Sequence, residues 1–390
     1  MHILILGAGY AGLRAALDLA EAKRAGELGE VTVTLVDRND YHQVITWLHE
    51  VAAASVAPDK ARIPLEQLLG AGGVAFHQAT VRGIAPREQR VLLADSEALS
   101  YDRLVVALGS ITAWPPIEGL REHALPMRWW DEAVRLREAV LHNFALAAEM
   151  EDEAERKRLL TLVVAGGGYT GCQLAGEMAH WVPELADHFG LSLLELTLRQ
   201  IEARERLMPG WDERLADKAE RILRRKGVQI LLNSPLERLD AQTMTLKGKN
   251  PMPYGLLIWA GGVQAPPLLK DSGFTTGVQG RAEVDAYLRA KEYPDVFVIG
   301  DASLWMEGDK PLPGTASHAL RQGEYVARMI RRQIQGKGLA DYEPTNLGLM
   351  VSLGGSDGVG IALGIPLSGV TAGILKEGIE SWYLSTIGAD

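Results

Sequence analysis

The chain has 390 residues and a mass of 42.4 kDa, which is too long for one compact core and suits two or three domains. Hydrophobic residues make up 47% and charged residues 23%, a balance typical of globular proteins that excludes a disordered chain. The net charge of -10 repels polyphosphate, so we expect no nucleic-acid partner.

The first predicted unit is a strand, a glycine loop and a helix. Apolar residues 3–6 predict a buried strand, and residues with apolar periodicity after position 12 predict the helix. The loop between them fits G-x-G-x-x-G, the pattern that binds a dinucleotide at a helix N-terminus. Residues 31–36 predict the next strand, whose terminal acid is placed to accept hydrogen bonds from a ribose. The predicted site residues are Gly7, Gly9, Tyr10, Ala11, Gly12, Asp37 and Arg38.

The same pattern recurs in the middle of the chain and predicts a second dinucleotide site. Residues 162–165 form the strand, 172–179 the helix and 196–201 the following strand. The acid after that strand lies further from its loop than the roughly twenty residues usual for this motif, so a solvated carboxylate remains an alternative. If this acid binds a 2′-hydroxyl, NADH is preferred over NADPH, although Arg204 and Arg206 leave that choice open. The predicted site residues are Gly166, Gly168, Tyr169, Thr170, Gly171 and Glu202.

The remaining elements follow in chain order. Charge-rich residues 129–160 predict one or two connecting helices, and residues 315–334 predict another helix. Residues 348–370 predict two or three short strands. The uncharged run 358–375 reaches the length of a membrane span, but its glycines and Pro366 favour strands and turns, so no span is predicted. The strands precede an amphipathic helix with Leu375, Ile379, Trp382 and Tyr383 on one face.

The sequence lacks a second cysteine and a recognisable signal peptide, which limits its redox chemistry and its expected location in the cell. The single cysteine, Cys172, permits no disulfide within the chain; a packed small residue is its expected role. The first residues lack the basic start and long apolar run of a signal peptide. We therefore expect a cytoplasmic protein.

The order of these motifs resembles the two-dinucleotide flavoproteins of the pyridine nucleotide-disulfide oxidoreductase type. Residues 106–109, Val-Ala-Leu-Gly, are similar to the crossover of that family, and residues 296–301, Val-Phe-Val-Ile-Gly-Asp, are similar to its second FAD motif. The resemblance implies non-covalent FAD in the first site and NADH or NADPH in the second. It adds Ala107, Gly109, Gly300 and Asp301 to the FAD site, with Asp301 on the ribityl chain.

Within that group the chain resembles the type II NADH:quinone oxidoreductases. Residues 41–52, where the disulfide reductases carry C-x-x-x-x-C, contain no cysteine, which also excludes cysteine-dependent sulfide:quinone oxidoreductases and NADH oxidases. Stretches 41–53, 163–179, 201–215, 258–263 and 379–388 look like the type II enzymes, and the resemblance adds Gly261 to the cofactor-binding residues. The resemblance implies hydride transfer from NADH to FAD and then two electrons to a quinone. It places Glu177 beside flavin and nicotinamide for proton handling; a helix carboxylate in an ion pair is the alternative.

One motif departs from the family. The family carries Ala-Gln-x-Ala-x-Gln-Gln-Gly before the quinone side of the flavin, whereas residues 316–323 here read Ala-Ser-His-Ala-Leu-Arg-Gln-Gly. Ser317 and Arg321 replace the two glutamines, which leaves the acceptor open. The helix N-terminus can still stabilise negative charge on the flavin, so Ser317 and His318 join the FAD site. His318 is a second candidate for proton transfer, with a packing role as its alternative; no metal site is predicted.

The predicted fold is α/β, with two Rossmann-like domains and a small C-terminal α+β cap. Residues 1–115 and 264–345 form the FAD domain, 116–263 the NAD(P)H domain with its helical connector, and 346–390 the cap. The expected partners are NADH and a quinone or another small acceptor. Contact with the inner face of the cell membrane, through the helix at 375–387 and the basic residues between 328 and 337, and a homodimer are left open. The alternative functions are a soluble NAD(P)H-dependent reductase of a small redox protein and a non-catalytic NADH-sensing flavoprotein.

Overall fold

The computed structural model describes residues 1–70 and 72–389. Asp390, the last residue of the predicted cap, lies outside this range. Helices follow the predicted order, and those that position the site are α1 Tyr10–Arg24, α2 Leu48–Ala52, α3 Trp130–Glu149, α4 Glu153–Leu159, α5 Tyr169–Phe189, α6 Glu213–Arg225, α7 Ala316–Ile334 and α8 Val370–Ile387.

The first sheet has six strands and holds the first glycine loop at its centre. Its two central strands, His2–Leu6 and Arg103–Val106, are apolar runs buried on both faces after their first residue, as parallel strands between helices should be. Helices α1 and α7 pack together against it and share its core. Five strands are parallel and the first is antiparallel; in spatial order they are Arg289–Ala290, Tyr293–Val298, Arg103–Val106, His2–Leu6, Thr32–Asp37 and Val74–Gln78.

The second sheet is built in the same way around the second glycine loop. Helices α3, α5 and α6 contribute apolar residues to the core on one of its faces, and a smaller cluster covers the other face. All five strands are parallel. In spatial order they are Ala124–Pro126, Leu256–Trp259, Thr161–Ala165, Thr197–Ile201 and Gln229–Leu231.

We call the six-stranded sheet with its helices the first unit and the five-stranded sheet with its helices the second unit. The chain leaves the first unit and returns to it through one short pair of strands. Strand Ile111–Thr112 pairs antiparallel with Val263–Gln264. The Ala113 N–H donates to the Gly262 carbonyl at 3.0 Å, and the Trp259 indole donates to the Ala113 carbonyl at 2.8 Å. The outgoing and returning segments are therefore held side by side.

The C-terminal segment packs on both units. Three antiparallel strands, Gly348–Ser352, Gly358–Ala362 and Ile365–Ser368, precede α8. On the second unit, a Cβ at Gly176 of α5 would lie 2.3 Å from the Leu353 carbonyl carbon, so only glycine permits this approach.

On the first unit, the last turns of α8 reach the first glycine loop. Tyr383 stacks on Tyr10 with ring centroids 4.5 Å apart. Its hydroxyl donates to Nε2 of the buried His42 at 2.7 Å, while Nδ1 of His42 lies 2.8 Å from the Ala8 carbonyl. The apolar residues predicted to share one face of this helix therefore differ in exposure, because Tyr383 is buried whereas Ile379 and Trp382 are exposed.

The other strands form small accessory sheets around these units. In residues 1–70 and 72–389, no helix is both long and apolar enough to cross a membrane. The accessory strands are Val81–Ala85 with Arg90–Leu93 and Leu99–Ser100, Leu236–Leu239 with Thr243–Leu246 and Met252–Pro253, Tyr41–Gln43 with Arg62–Pro64, Ala282–Glu283 with Ser303–Leu304, and Met306–Glu307 with Lys310–Pro311.

Candidate functional site

The first glycine loop has the geometry that a dinucleotide diphosphate requires. Gly7 has φ +99, which favours glycine, and a Cβ at Gly12 would lie 1.9 Å from the Gly7 carbonyl oxygen. A Cβ at Gly9 would meet nothing within 4 Å. No side chain caps the N-terminus of α1 and its first turn has no acid, so its free N–H groups suit the phosphates of FAD.

Asp37 closes this loop from the neighbouring strand. Its carboxylate accepts hydrogen bonds from the backbone N–H of Ala8 at 2.6 Å and of Asn39 at 2.8 Å. Burial raises the pKa of this carboxyl, although both N–H groups stabilise its charged form. The side chain is thus oriented at the strand end where a ribose of FAD would lie.

The second loop repeats this geometry. A Cβ at Gly171 would lie 2.1 Å from the Gly166 carbonyl oxygen, and Gly166 has φ +126. Glu202 accepts from the backbone N–H of Gly167 at 2.6 Å and of Arg204 at 2.8 Å. The long spacing to Glu202 has a simple cause: α5 has 21 residues where α1 has 15. The structure thus places Glu202 at its loop as it places Asp37.

A cavity of about 450 Å³ runs along the first loop, and we call it the loop cavity. It extends from Asp37 to Asp301, and its wall also includes Thr170 and Gln173 from the first turns of α5. The first loop and the helix of the second loop therefore meet in one cavity. The predicted FAD residues that line it are Gly7, Gly9, Tyr10, Ala11, Asp37, Arg38, Ala107, Gly109, Gly300 and Asp301.

Several predicted residues lie outside the loop cavity. Gly12 packs behind the loop. Ser317 and His318 do not line the cavity, whereas Ala316 and Ala319 on the same helix, α7, do. The His318 ring is 9% exposed, Nδ1 has no partner among the described residues, and burial lowers its pKa. Gly166, Gly168, Tyr169, Gly171, Glu202 and Gly261 belong to the second loop or its facing strand end and do not line this cavity.

A second cavity, of about 660 Å³, lies between α2, α5 and α8, and we call it the carboxylate cavity. Glu177 lines it, buried, and accepts a hydrogen bond from the Ser55 hydroxyl at 2.8 Å. The Lys376 ammonium lies 2.6 Å from Glu50 and 2.9 Å from Glu380. Three carboxylates and one ammonium that are at least partly buried thus share this space, whose lining also includes the exposed Lys60, Glu184 and Glu377.

Burial perturbs the protonation of this cluster. It raises the pKa of Glu50 to about 7, and it also raises the pKa of Glu177. Burial opposes the charge on Lys376, but Glu380 and Glu50 outweigh it and raise the pKa of the ammonium. Carboxyl groups with a pKa near neutrality can take up and release protons at physiological pH.

Some residues at these cavities carry no motif that sequence reasoning would recognise. Lys376 is the charge that ends the uncharged run of residues 358–375, which is the one signal that could have drawn attention to it. Arg128 precedes α3, and its guanidinium lies 3.2 Å from Asp301. Each forms an ion pair with a residue more than a hundred positions away in the sequence, Arg128 with Asp301 and Lys376 with Glu50.

The comparisons with known proteins decide the family. A family model of the pyridine nucleotide-disulphide oxidoreductases matches residues 1–323. A type II NADH:quinone oxidoreductase of Staphylococcus aureus is 31% identical over 397 residues, which cover 99% of this chain and 96% of that protein. The chain belongs to the type II NADH:quinone oxidoreductases of this family.

Solved structures agree on the fold of this type II family member. NDH2 from Plasmodium falciparum in complex with NADH has a TM-score of 0.88 at 18% identity and covers 99% of this chain and 94% of its own. The sulfide:quinone oxidoreductase from Aquifex aeolicus has a TM-score of 0.82 at 16% identity and covers 99% and 91%. The predicted resemblance and the α/β fold with two Rossmann-type units are both confirmed.

Proposed function

We propose that this protein oxidises NADH and passes the two electrons through bound FAD to a quinone. The observation that carries the proposal is that Thr170 and Gln173, from the helix of the second loop, line the same cavity as the first loop. A flavin held by the first loop and a nicotinamide held by the second would therefore meet at that end. This geometry suits hydride transfer, which depends on close stacking of the two rings.

When bound, FAD supplies the redox chemistry by taking hydride from NADH and releasing two electrons to the acceptor. The overall reaction is NADH + H⁺ + quinone → NAD⁺ + quinol. No thiol takes part, because the single cysteine, Cys172, is buried and burial raises its pKa to about 12. The protein's task is to position both nucleotides and to deliver the proton.

Glu177 is our candidate for proton handling. It lies at the carboxylate cavity within hydrogen-bond distance of Ser55, one turn beyond Gln173 on the same helix. Burial raises its pKa, which favours the protonated form that could donate a proton. His318, the second candidate, has its ring outside both cavities, so the proposal rests on Glu177.

We expect NADH to be preferred over NADPH. Glu202 is buried and both of its oxygens face backbone N–H groups of the second loop and its continuation. A 2′-phosphate beside this carboxylate would be repelled. Arg206, which could attract a phosphate, is paired with Asp217 and Glu213.

Anaerobic mixing of the purified holoenzyme with NADH tests the first half of the reaction. We expect rapid loss of the yellow flavin absorbance and its return when a short-chain quinone is added. An unbleached flavin would favour a nucleotide-sensing flavoprotein. Steady-state rates with a short-chain quinone, ferredoxin and oxygen then rank the acceptors; fast ferredoxin turnover without quinone turnover would favour the soluble reductase.

Membrane lipid is the proposed source of the quinone, and α8 is the proposed contact. Ile374 and Trp382 are 63% and 51% exposed on this helix, and Leu363 and Ile365 are exposed on the adjoining strand turn. Large apolar side chains of this kind bind the interface of a bilayer. The basic residues of α7 favour this contact less, since Arg331 is paired with Glu27.

The double variant Ile374→Ser, Trp382→Ser should bind liposomes about tenfold more weakly, because it removes two apolar side chains from the proposed contact. Flotation of the holoenzyme with anionic vesicles measures this. Leu194→Ser is the matched control, since Leu194 is 94% exposed but lies after α5 on the second unit. Equal losses in both variants, or none in the first, would contradict the assignment to α8.

A further inference from the structure

The loop cavity carries a charge balance that FAD would disturb. Among its lining residues the acids are Asp37 and Asp301 and the bases are Arg38 and Arg128. A diphosphate brings about two further negative charges into this partly buried space, where unlike charges must compensate one another. The two guanidinium groups therefore oppose the build-up of negative charge in this cavity.

Arg128 neutralises Asp301 at one end of the cavity. Its Nη2 lies 3.2 Å from the Asp301 carboxylate and donates to the Ser110 hydroxyl at 2.7 Å, while Nε donates to the Ser110 carbonyl at 3.0 Å. Ser110 donates in turn to the same Asp301 oxygen at 2.7 Å. Nη1 donates to no residue in the described chain, so one arm of the guanidinium remains available to a ligand.

Trp129 lies between the two guanidinium groups, and the centre of its ring is 5.7 Å from the guanidinium of Arg128. The Arg38 guanidinium lies 4.2 Å from the centre of its ring, a cation–π contact that orients the charge next to Asp37. Both Arg38 and Trp129 line the cavity. Through consecutive residues, the segment thus contacts both Asp301 and Arg38.

The backbone of this segment is fixed from outside the cavity. Glu132 accepts from the N–H groups of Arg128 and Trp129 at 2.7 and 2.9 Å. Trp130 is held by the Pro58 carbonyl, which accepts from its indole at 2.8 Å, and by Arg62, whose guanidinium lies 3.7 Å from its ring centre. These contacts hold the backbone of residues 128–130 from outside the cavity.

We propose that Arg128, Trp129 and Trp130 form a clasp that retains FAD: Arg128 compensates Asp301, Trp129 orients Arg38, and Trp130 anchors both to the protein. The clasp rests on the proposed function, since it presumes that FAD occupies the loop cavity. It also assigns a binding role to the segment that leads into the second unit. Removing Arg128 leaves Asp301 without its counter-ion beside the added negative charge.

The test is the rate at which the holoenzyme releases FAD, followed by flavin fluorescence after dilution. Arg128→Gln should release FAD about tenfold faster than the parent, and Trp129→Leu about fivefold faster. Arg128→Lys keeps the positive charge but loses the planar guanidinium with its several donors. Its rate of FAD release should therefore lie between those of the parent and Arg128→Gln. Arg135→Gln is the matched control, because Arg135 lies on α3 in an exposed ion pair with Asp131; its release rate should stay within about twofold of the parent.

Far-ultraviolet circular dichroism of each apoprotein separates loss of the clasp from loss of the fold. If Arg128→Gln does not fold, the FAD release rate of Trp129→Leu tests the clasp instead, because this variant keeps the ion pair between Arg128 and Asp301. Release at the parental rate in folded Arg128→Gln and Trp129→Leu would overturn the clasp. A parent that purifies colourless and takes up no added FAD would overturn the proposed function and the clasp together.

Discussion

Gly171→Ala is expected to keep FAD bound and to abolish rapid reduction of the flavin by NADH. The new Cβ would lie 2.1 Å from the Gly166 carbonyl oxygen, so α5 must move away from strand Thr161–Ala165. That movement displaces the N–H groups at the start of α5, to which we assign the binding of the NADH phosphates. A misplacement of this size costs about 100-fold in rate, whereas the first loop is untouched.

The first-order rate of flavin bleaching after anaerobic mixing with NADH measures this loss. Gly378→Ala is the control, because Gly378 lies within α8 and its added Cβ would meet nothing within 4 Å. Gly12→Ala is the reciprocal variant: its Cβ would lie 1.9 Å from the Gly7 carbonyl oxygen, so we expect it to lose FAD. Parental bleaching by Gly171→Ala would refute our assignment of the second loop to NADH.

Lys376→Met should lower the free energy of unfolding by about 3–5 kcal/mol at pH 8, because it removes the counter-ion from two partly buried carboxylates. Lys376 is 9% exposed on its side chain and contacts both Glu50 and Glu380. The effect should be smaller at pH 5. There Glu50, with a folded-state pKa of about 7 against an ordinary value of 4.5, is already protonated in the parent.

The sign of this pH dependence follows from the raised pKa of Glu50. Its protonation stabilises the folded state fully below pH 4.5, and that contribution is lost as the pH rises through 7. In Lys376→Met the ammonium no longer lowers this pKa, so the loss of stability continues to higher pH. Urea unfolding at pH 5 and pH 8 measures it. Lys60→Met, at an exposed lysine on the same cavity, is the control; equal losses in both variants would contradict the role given to Lys376.

The parts of the fold that sequence could predict are those with local causes. The glycine loops are recognisable because Gly7, Gly12, Gly166 and Gly171 each occupy a position that a Cβ would block. Buried parallel strands are continuous apolar runs, so their order along the chain was predictable. The acids after strands Thr32–Asp37 and Thr197–Ile201 fall at their loops for the same geometric reason.

The parts that sequence could not predict depend on contacts between distant segments. Arg128 and Asp301, or Lys376 and Glu50, meet only because the second unit and the cap fold back onto the first. Periodicity predicts α8 but not its orientation. It places Tyr383 and Trp382 on one face, whereas in the structure Tyr383 is buried against Tyr10 and Trp382 is exposed. The resemblance brought His318 into the site, yet the rotation of α7 turns Ala316 and Ala319 to the loop cavity instead.

The short ladder between Ile111–Thr112 and Val263–Gln264 makes the second unit suitable for exchange as a whole domain. Because its two ends emerge side by side, the intervening segment closes on itself like an inserted domain, an arrangement that tolerates exchange. Grafting the matching segment of an NADPH-using relative at these strands would carry coenzyme choice across as one piece. The graft would also import its own version of residues 128–130, so a chimera could change coenzyme selectivity and flavin retention in a single step.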